Sequence, residues 1–303
     1  MNRTLSNYPP EVYHASPEWC HSKLKYLPGN PEMFWAKFIA DPKPKWAQRP
    51  QVWSRNVQLG SLFHGMLLEG LEPDVVPSEI LASNGAMTTN AAKAFAKDHP
   101  NWIKQDEYED LCYAIDRCRM DDEIAAYLET KGEAELSLFW DDEQSGLQCR
   151  GRLDRLCEFS DGLHILDVKF SGGCDERWVS KQLLAMNYYR QAAFYMTGVE
   201  KCIAKPKAFT FLFVRSVAPF DAALWQMNEN DLDMGARHNR VAMDDLVDRI
   251  TRNHWHGPNF NQINQIALPN WAYEQDALYA TDGEEFPESE FSDFAEFNQA
   301  KGE

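Results

Sequence analysis

Two short stretches of the chain carry residue types suited to metal-assisted chemistry. The first spans residues 149–155 (CRGRLDR) and the second spans 164–170 (HILDVKF). Side chains alternate between the two faces of a strand, so Asp167 and Lys169 project to one face and the apolar residues beside them project to the other. An aspartate and a lysine at the end of an apolar strand are costly to bury unless their charge is compensated. A divalent cation would compensate it.

The first stretch supplies a second carboxylate, because Asp154 shares a strand face with Arg150 and Arg152. Two carboxylates on adjacent strands can bind Mg²⁺, which prefers oxygen ligands in octahedral geometry. Beside such a metal, Lys169 can orient an attacking water and favour its hydroxide form, while the metal stabilises negative charge on a phosphate. These residues therefore predict metal-assisted phosphodiester hydrolysis.

The charge of the chain is unevenly distributed. Its 303 residues are 44% hydrophobic, with a net charge of −17, which is enough apolar content for a substantial core and excludes a wholly disordered protein. Such acidity argues against nucleic acid as a partner. However, residues 274–303 contain ten acidic residues and one lysine, so the preceding body is only mildly acidic. We expect this phenylalanine-bearing tail to be disordered or docked on a partner.

Cysteine usage and hydropathy indicate the compartment. The seven cysteines include no C-x-x-C pair, which predicts neither a disulfide framework nor a zinc ribbon. The longest apolar run, 208–214, is far shorter than the roughly 20 residues of a membrane span. The first ten residues contain no apolar segment typical of a signal peptide. We expect a soluble cytoplasmic protein with no membrane contact.

The hydrophobic periodicity changes near residue 130. Helical patterns occupy 31–40, 56–69, 89–98 and 106–129. Strand patterns follow at 133–140, 147–159, 163–170 and 208–214, with one long helix predicted over 178–197 and another over 230–254, capped by Asn230. This order predicts an α/β core with a mixed sheet. We expect a helical N-terminal region (1–130), a core (131–256) and a C-terminal extension (257–303) whose acidic tail begins at 274.

The order and spacing of these motifs resemble the signature of PD-(D/E)XK nucleases. The resemblance is greatest to the RecB-like branch that includes exonuclease VIII (RecE) and related phage exonucleases. It rests on 13–17 (YHASP), a Gly-x-x-x-His helix at 59–69, 151–154 (GRLD), 167–169 (DVK) and 191–195 (QAAFY). Leu153 stands where these exonucleases often have proline, and Asp167 replaces the commoner glutamate. The resemblance implies a restriction-endonuclease-like core, with a central mixed sheet flanked by helices.

The resemblance also implies residue roles. The implied metal ligands are His64, Asp154, Asp167, the backbone carbonyl of Val168 and, through water, Glu135. The implied catalytic residues are Lys169, Asp154 and Asp167, with Gln191 and Tyr195 positioning the substrate or the lysine. The candidates for contacts to DNA phosphates are Arg150, Arg152, Arg177 and Lys181, although a solvated helix face is favoured for the last two. Glu69 lies off the His64 face by helical geometry.

The implied activity is a Mg²⁺-dependent deoxyribonuclease in which Mn²⁺ can substitute. By resemblance it is a 5′-to-3′ exonuclease of linear duplex ends, acting in DNA recombination, repair or end resection as a homo-oligomer with a single-strand annealing partner. An iron–sulfur cluster is not expected, because no cysteine follows Cys202. Two alternatives stay open: a structure-specific or restriction-type endonuclease with the same site, and a non-catalytic DNA-binding or scaffold protein with the same fold.

Overall fold

The computed structural model describes residues 2–48, 54–257 and 259–273. The chain divides into two compact units, Met1–Gly257 and Pro258–Glu303. The acidic tail predicted from residue 274 lies outside the described residues. None of the described helices is both long and apolar enough to cross a membrane.

A six-stranded mixed sheet forms the centre of the first unit. Its strands are β1 (Arg3–Leu5), β4 (Gly132–Asp142), β5 (Leu147–Phe159), β6 (Gly162–Ser171), β7 (Ala208–Arg215) and β8 (Ala222–Gln226), and β2 (Asp74–Val75) and β3 (Trp102–Ile103) form a separate short pair. The strand order of the six-stranded sheet is β1-β4-β5-β6-β7-β8. Within this sheet the β6–β7 pair is parallel and the other pairs are antiparallel. The predicted α/β mixed sheet is confirmed.

Helices precede the sheet strands β4–β8 and also lie between and after them. They are α1 (Pro10–Ala15), α2 (His21–Leu24), α3 (Pro31–Phe38), α4 (Arg55–Leu68), α5 (Asn90–Asp98), α6 (Gln105–Met120), α7 (Asp122–Glu129), α8 (Glu176–Ala185), α9 (Tyr188–Cys202) and α10 (Glu229–Arg252). The cap of α10 is Asn228, whose side chain accepts a hydrogen bond from the Asp231 N–H. The helix therefore starts slightly earlier than the Asn230 cap predicted.

The sheet is buried on both faces, as the alternation along β7 illustrates. Phe209, Phe211 and Phe213 belong to one apolar cluster, which includes residues of α2, α3, α9 and α10. Leu212 and Val214 belong to the other, which includes residues of α4, α6 and α7. Covering both faces explains why β7 has an almost continuous apolar sequence.

The helix predicted over 178–197 is two helices, which corrects the sequence-based expectation. Asn187, between α8 and α9, adopts a left-handed conformation with φ 58°. Asparagine tolerates this conformation better than most residues, and a left-handed residue cannot continue a right-handed helix. The second helix therefore begins at Tyr188.

Candidate active site

The strands β5 and β6 separate at Asp154. Their last paired residues are Arg155 and Leu166, and β6 remains paired with β7 as far as Ser171. Beyond the last pair, the Asp154 Oδ2 atom accepts a hydrogen bond of 2.7 Å from the Val168 N–H. The side chain thus satisfies a backbone donor that the ladder leaves free, and this carboxylate is held between the two strands.

Glu135 interrupts β4 at the same level of the sheet. The ladder pairs Ala134 with Arg155 and Leu136 with Leu153, so Glu135 and Asp154 stay outside it. Glu135 has a φ of 51°, a left-handed conformation that is uncommon for residues other than glycine and often occurs at functional sites. Two acidic residues therefore leave the regular ladder side by side.

His64 joins the two carboxylates from helix α4. Its Nδ1 atom lies 3.3 Å from Glu135 Oε1 and its Nε2 atom lies 3.1 Å from Asp154 Oδ2. Leu62, Phe63 and other apolar residues of α4 are buried, whereas the His64 side chain is 22% exposed. One ligand atom from each of the three residues lies within 4.8 Å of the others, a spacing suitable for a shared cation.

Asp167 and Lys169 form an ion pair next to this group. Asp167 is only 1% exposed, and its Oδ2 atom has no hydrogen-bond partner among the described residues. A buried carboxylate oxygen without a partner requires a physical explanation. A metal ion bound by Asp154 and Asp167 would supply one, so the residues present fit the predicted cation.

The raised pKa values of three of these groups indicate that negative charge exceeds positive charge at the site. Burial alone would lower the pKa of His64, but the neighbouring Asp154 carboxylate raises it to about 9. Burial raises the pKa of Glu135 to about 7 and that of Asp167 to about 7. Burial opposes ionisation of Asp154 too, yet the charge of His64 keeps its pKa below the usual value. One imidazole and several carboxylates form a donor set suited to Mg²⁺ or Mn²⁺.

Gln191 and Tyr195 lie on helix α9, with Tyr195 on the wall of the cleft that contains the acidic residues. Gln191 Nε2 is 3.4 Å from the Tyr195 hydroxyl. The Tyr195 ring packs against Gly151, where an added Cβ atom would approach it to 3.1 Å. The glycine of the predicted GRLD motif therefore allows this tyrosine to approach the strand.

Comparisons with known proteins agree with this geometry. Residues 21–258 match the family model described as "PDDEXK-like domain of unknown function (DUF3799)". The chain belongs to this family. The predicted PD-(D/E)XK relationship is therefore confirmed. No curated protein matches the sequence.

The fold of this PDDEXK-like chain is similar to that of one solved structure, and a second solved structure matches weakly. A "Putative exonuclease" from Eubacterium rectale is 15% identical, with a TM-score of 0.56 over 92% of this chain and 100% of that chain. The protein VC1899 from Vibrio cholerae is 10% identical, with a TM-score of 0.23 over 84% of this chain and 60% of that one. The first likeness confirms the restriction-endonuclease-like fold, and the second is too weak to interpret. Family and fold together support a nuclease.

The predicted phosphate-binding residues of the PDDEXK-like chain occupy two different places. Arg150 and Arg152 line the cleft, whose volume is about 730 Å³. Arg152 also lies 3.1 Å from Glu135. Arg177 and Lys181 are exposed on helix α8 and are not on the cleft wall. The structure therefore brings only the first pair to the acidic residues.

Three residues of the cleft were not predicted from the sequence. Tyr188 places its ring centroid 4.6 Å from Lys169 Nζ, a position that depends on the helix break at Asn187. Tyr13 packs against Arg150 and Arg152. Glu69 also lines the cleft, although helical geometry predicts that it lies off the His64 face. The difference arises because α4 ends at Leu68, so Glu69 is the C-cap and not a residue of the helix. The QAAFY spacing could have indicated Tyr188, which is one helical turn before Gln191.

Proposed function

We propose that this PDDEXK-like chain is a Mg²⁺-dependent deoxyribonuclease in which Mn²⁺ can substitute. The observation that carries the proposal is the grouping of His64, Glu135 and Asp154 within 4.8 Å, beside the buried Asp167–Lys169 ion pair. Four of these five side chains, those of His64, Glu135, Asp154 and Lys169, line one cleft, where a substrate strand can approach them. Asp167 is buried and does not line the cleft.

The residues in this cleft have different proposed roles in hydrolysis. A divalent cation held by His64, Asp154, Asp167, the Val168 carbonyl and, through water, Glu135 would stabilise the negative charge that develops on the phosphate. Lys169, oriented by Asp167, directs the attacking water and favours its ionised form through its positive charge. Tyr195, contacted by Gln191, orients the substrate next to the lysine.

Four basic residues are proposed to bind DNA phosphates: Arg150 and Arg152 within the cleft, and Arg177 and Lys181 on α8. A few basic residues per subunit would suffice to bind DNA in a ring-shaped homo-oligomer, because the ring places the basic side chains of every subunit around the DNA. In this proposal the helical N-terminal region, 1–130, supplies His64, residues 131–256 form the core, and 257–303 form an extension with an acidic tail.

The finer activity we propose is 5′-to-3′ degradation of linear duplex ends in recombination or end resection, in the cytoplasm and with a single-strand annealing partner. Two points support it: the resemblance of the ordered motifs to the exonuclease VIII branch, and the likeness of the fold to the "Putative exonuclease" of Eubacterium rectale. Polarity and partner rest on the resemblance alone.

The experiment that tests this function compares linear and covalently closed duplex DNA of the same sequence, with Mg²⁺ or with EDTA. An exonuclease degrades only the linear substrate and only with the metal. Cleavage of the closed circle would favour the endonuclease alternative. Calorimetry that detects neither Mg²⁺ nor Mn²⁺ binding, together with no cleavage, would favour the non-catalytic scaffold.

A further inference from the structure

Arg150 is a buried cation without a counter-ion among the residues that the structure describes. It is 2% exposed and lies on the wall of the cleft. Its Nη2 atom donates to the His14 carbonyl at 3.3 Å, but Nε and Nη1 have no hydrogen-bond partner among the described residues. Arg152 differs, because it pairs with Glu135.

The ring of Tyr13 holds this guanidinium in place. The centroid of the ring is 4.5 Å from Arg150 Cζ and 5.1 Å from Arg152 Cζ. Tyr13 belongs to α1 and is itself 7% exposed. Packing against an aromatic face restricts a guanidinium while its N–H groups remain available in its plane. The two free donors of Arg150 are therefore preorganised.

An unpaired guanidinium in this position is costly. Arginine stays protonated in proteins, and a buried charge without a partner is strongly destabilising. Arg190, the other buried arginine among the described residues, donates to Asn239 and does not line the cleft. Of these two arginines, Arg150 alone combines unpartnered donor atoms with a place on the cleft wall. Its Nε and Nη1 atoms lie on different edges of the guanidinium, and each can donate to a phosphate oxygen.

We propose that Arg150, held by Tyr13, forms a phosphate subsite in the cleft that is separate from the metal ligands. It would bind one phosphate group of the substrate strand, so the assignment of DNA as the ligand source rests on the proposed function. At about 3.3 Å per strand residue, the backbone of Arg150 lies about 13 Å along β5 from that of Asp154. In this proposal the phosphate bound here is a different one from the phosphate that is cleaved.

His14, whose carbonyl accepts a hydrogen bond from Arg150, also lies at this position. Burial lowers the pKa of its imidazole, and the charges of Arg150 and Arg152 lower it further. Tyr13 and His14 precede the residues matched by the family model, 21–258. The subsite therefore combines an N-terminal segment with a strand of the family core.

A binding test that needs no catalysis uses inorganic phosphate as the probe. The full chain in EDTA is titrated with phosphate by calorimetry. Its unfolding temperature in phosphate is also compared with that in chloride at equal ionic strength. We expect saturable binding by the wild type, at least about tenfold weaker binding by Arg150→Met, and wild-type binding by Arg119→Met, which alters an exposed arginine of α6. If Arg150→Met does not fold, Arg150→Lys replaces it and should also bind more weakly.

The phosphate could be a terminal monoester or an internal diester, and cleavage kinetics separate the two. Linear duplexes with a 5′-phosphate, a 3′-phosphate or only hydroxyl ends are compared for the wild type and the Arg150 variant. If the variant has a higher KM than the wild type only for the duplex with one kind of terminal phosphate, the subsite binds that terminal phosphate. If its KM is higher for all three duplexes, the subsite binds an internal phosphate. No saturable phosphate binding by the wild type, or equal binding by the Arg150 variant, would overturn the subsite. Phosphate binding without any cleavage would instead overturn only the nuclease proposal.

Discussion

The Asp154 carboxylate accepts a hydrogen bond of 2.7 Å from the backbone N–H of Val168. This contact replaces a ladder bond at the level where β5 and β6 separate, so the strands part without leaving a buried backbone donor unsatisfied. The same carboxylate oxygen lies 3.1 Å from His64 Nε2. One side chain thus shapes the opening between the strands and contributes to the proposed metal site.

This double role predicts different outcomes for two substitutions of Asp154. Asp154→Asn keeps an acceptor for the Val168 N–H but removes the charge, so Mn²⁺ binding is lost and cleavage falls by about 10³-fold. Asp154→Ala also removes the acceptor, which lowers the free energy of unfolding of the metal-free protein by about 1–3 kcal/mol. Calorimetry with Mn²⁺, cleavage rates and denaturant unfolding in EDTA measure these effects. The control is Glu158→Gln on the same strand, and Mn²⁺ binding by Asp154→Asn equal to that control would contradict the assignment.

Metal affinity should rise with pH between 6 and 9. In the metal-free protein the pKa of His64 is raised to about 9, and the pKa values of Glu135 and Asp167 are each raised to about 7. A cation binds the deprotonated groups, so it must displace protons, and the displacement becomes easier as pH rises. Mn²⁺ calorimetry in two buffers of different ionisation enthalpy measures both affinity and proton release. His64→Asn should flatten the dependence above pH 7, and an affinity that falls with rising pH would be inconsistent with this site.

Tyr188 should act as a positioning residue for Lys169. Its ring lies over the ammonium at 4.6 Å, a cation–π contact of about 0.5–2 kcal/mol. Tyr188→Leu should therefore lower kcat by up to about tenfold and shift the pH profile of kcat, with KM unchanged, whereas Tyr188→Phe keeps the ring and restores both. Equal profiles for the leucine and phenylalanine variants would show that the ring does not position the lysine.

Removing residues 274–303 should leave cleavage largely intact. This segment holds ten of the acidic residues and one lysine, so the net charge changes from −17 to −8. Less negative charge should raise DNA affinity at low salt, where electrostatic repulsion is least screened. Filter binding at two salt concentrations and cleavage of linear duplex test this. Loss of all cleavage in a folded truncated protein would mean that the tail is required for activity.

The sequence was informative where one physical pattern decided the structure. Alternation along β6 correctly placed Leu166 and Val168 in an apolar cluster and paired Asp167 with Lys169. Helical periodicity located α4, although its predicted C-terminal residue Glu69 is outside the helix. These features depend on neighbours close in the chain, so a single segment contains enough information to predict them.

Other features depend on contacts between distant segments. The left-handed Glu135 is defined by its place opposite Asp154 and beside His64, and nothing in the local sequence of β4 indicates it. The helix break at Asn187 was missed because the residues on either side favour a helix. The packing of Tyr13 on Arg150 joins positions far apart in the chain. The sequence therefore offered Arg150 as a phosphate contact but did not indicate that Tyr13 holds it.

The most direct test of the central claim is the cleavage of end-labelled linear duplex DNA with and without Mg²⁺, by the wild type and by Asp167→Ala and Lys169→Ala. The proposed site predicts that the wild type releases labelled nucleotides only when Mg²⁺ is present and that both variants are inactive while remaining folded. Activity of the wild type in EDTA, or activity that survives both substitutions, would contradict it.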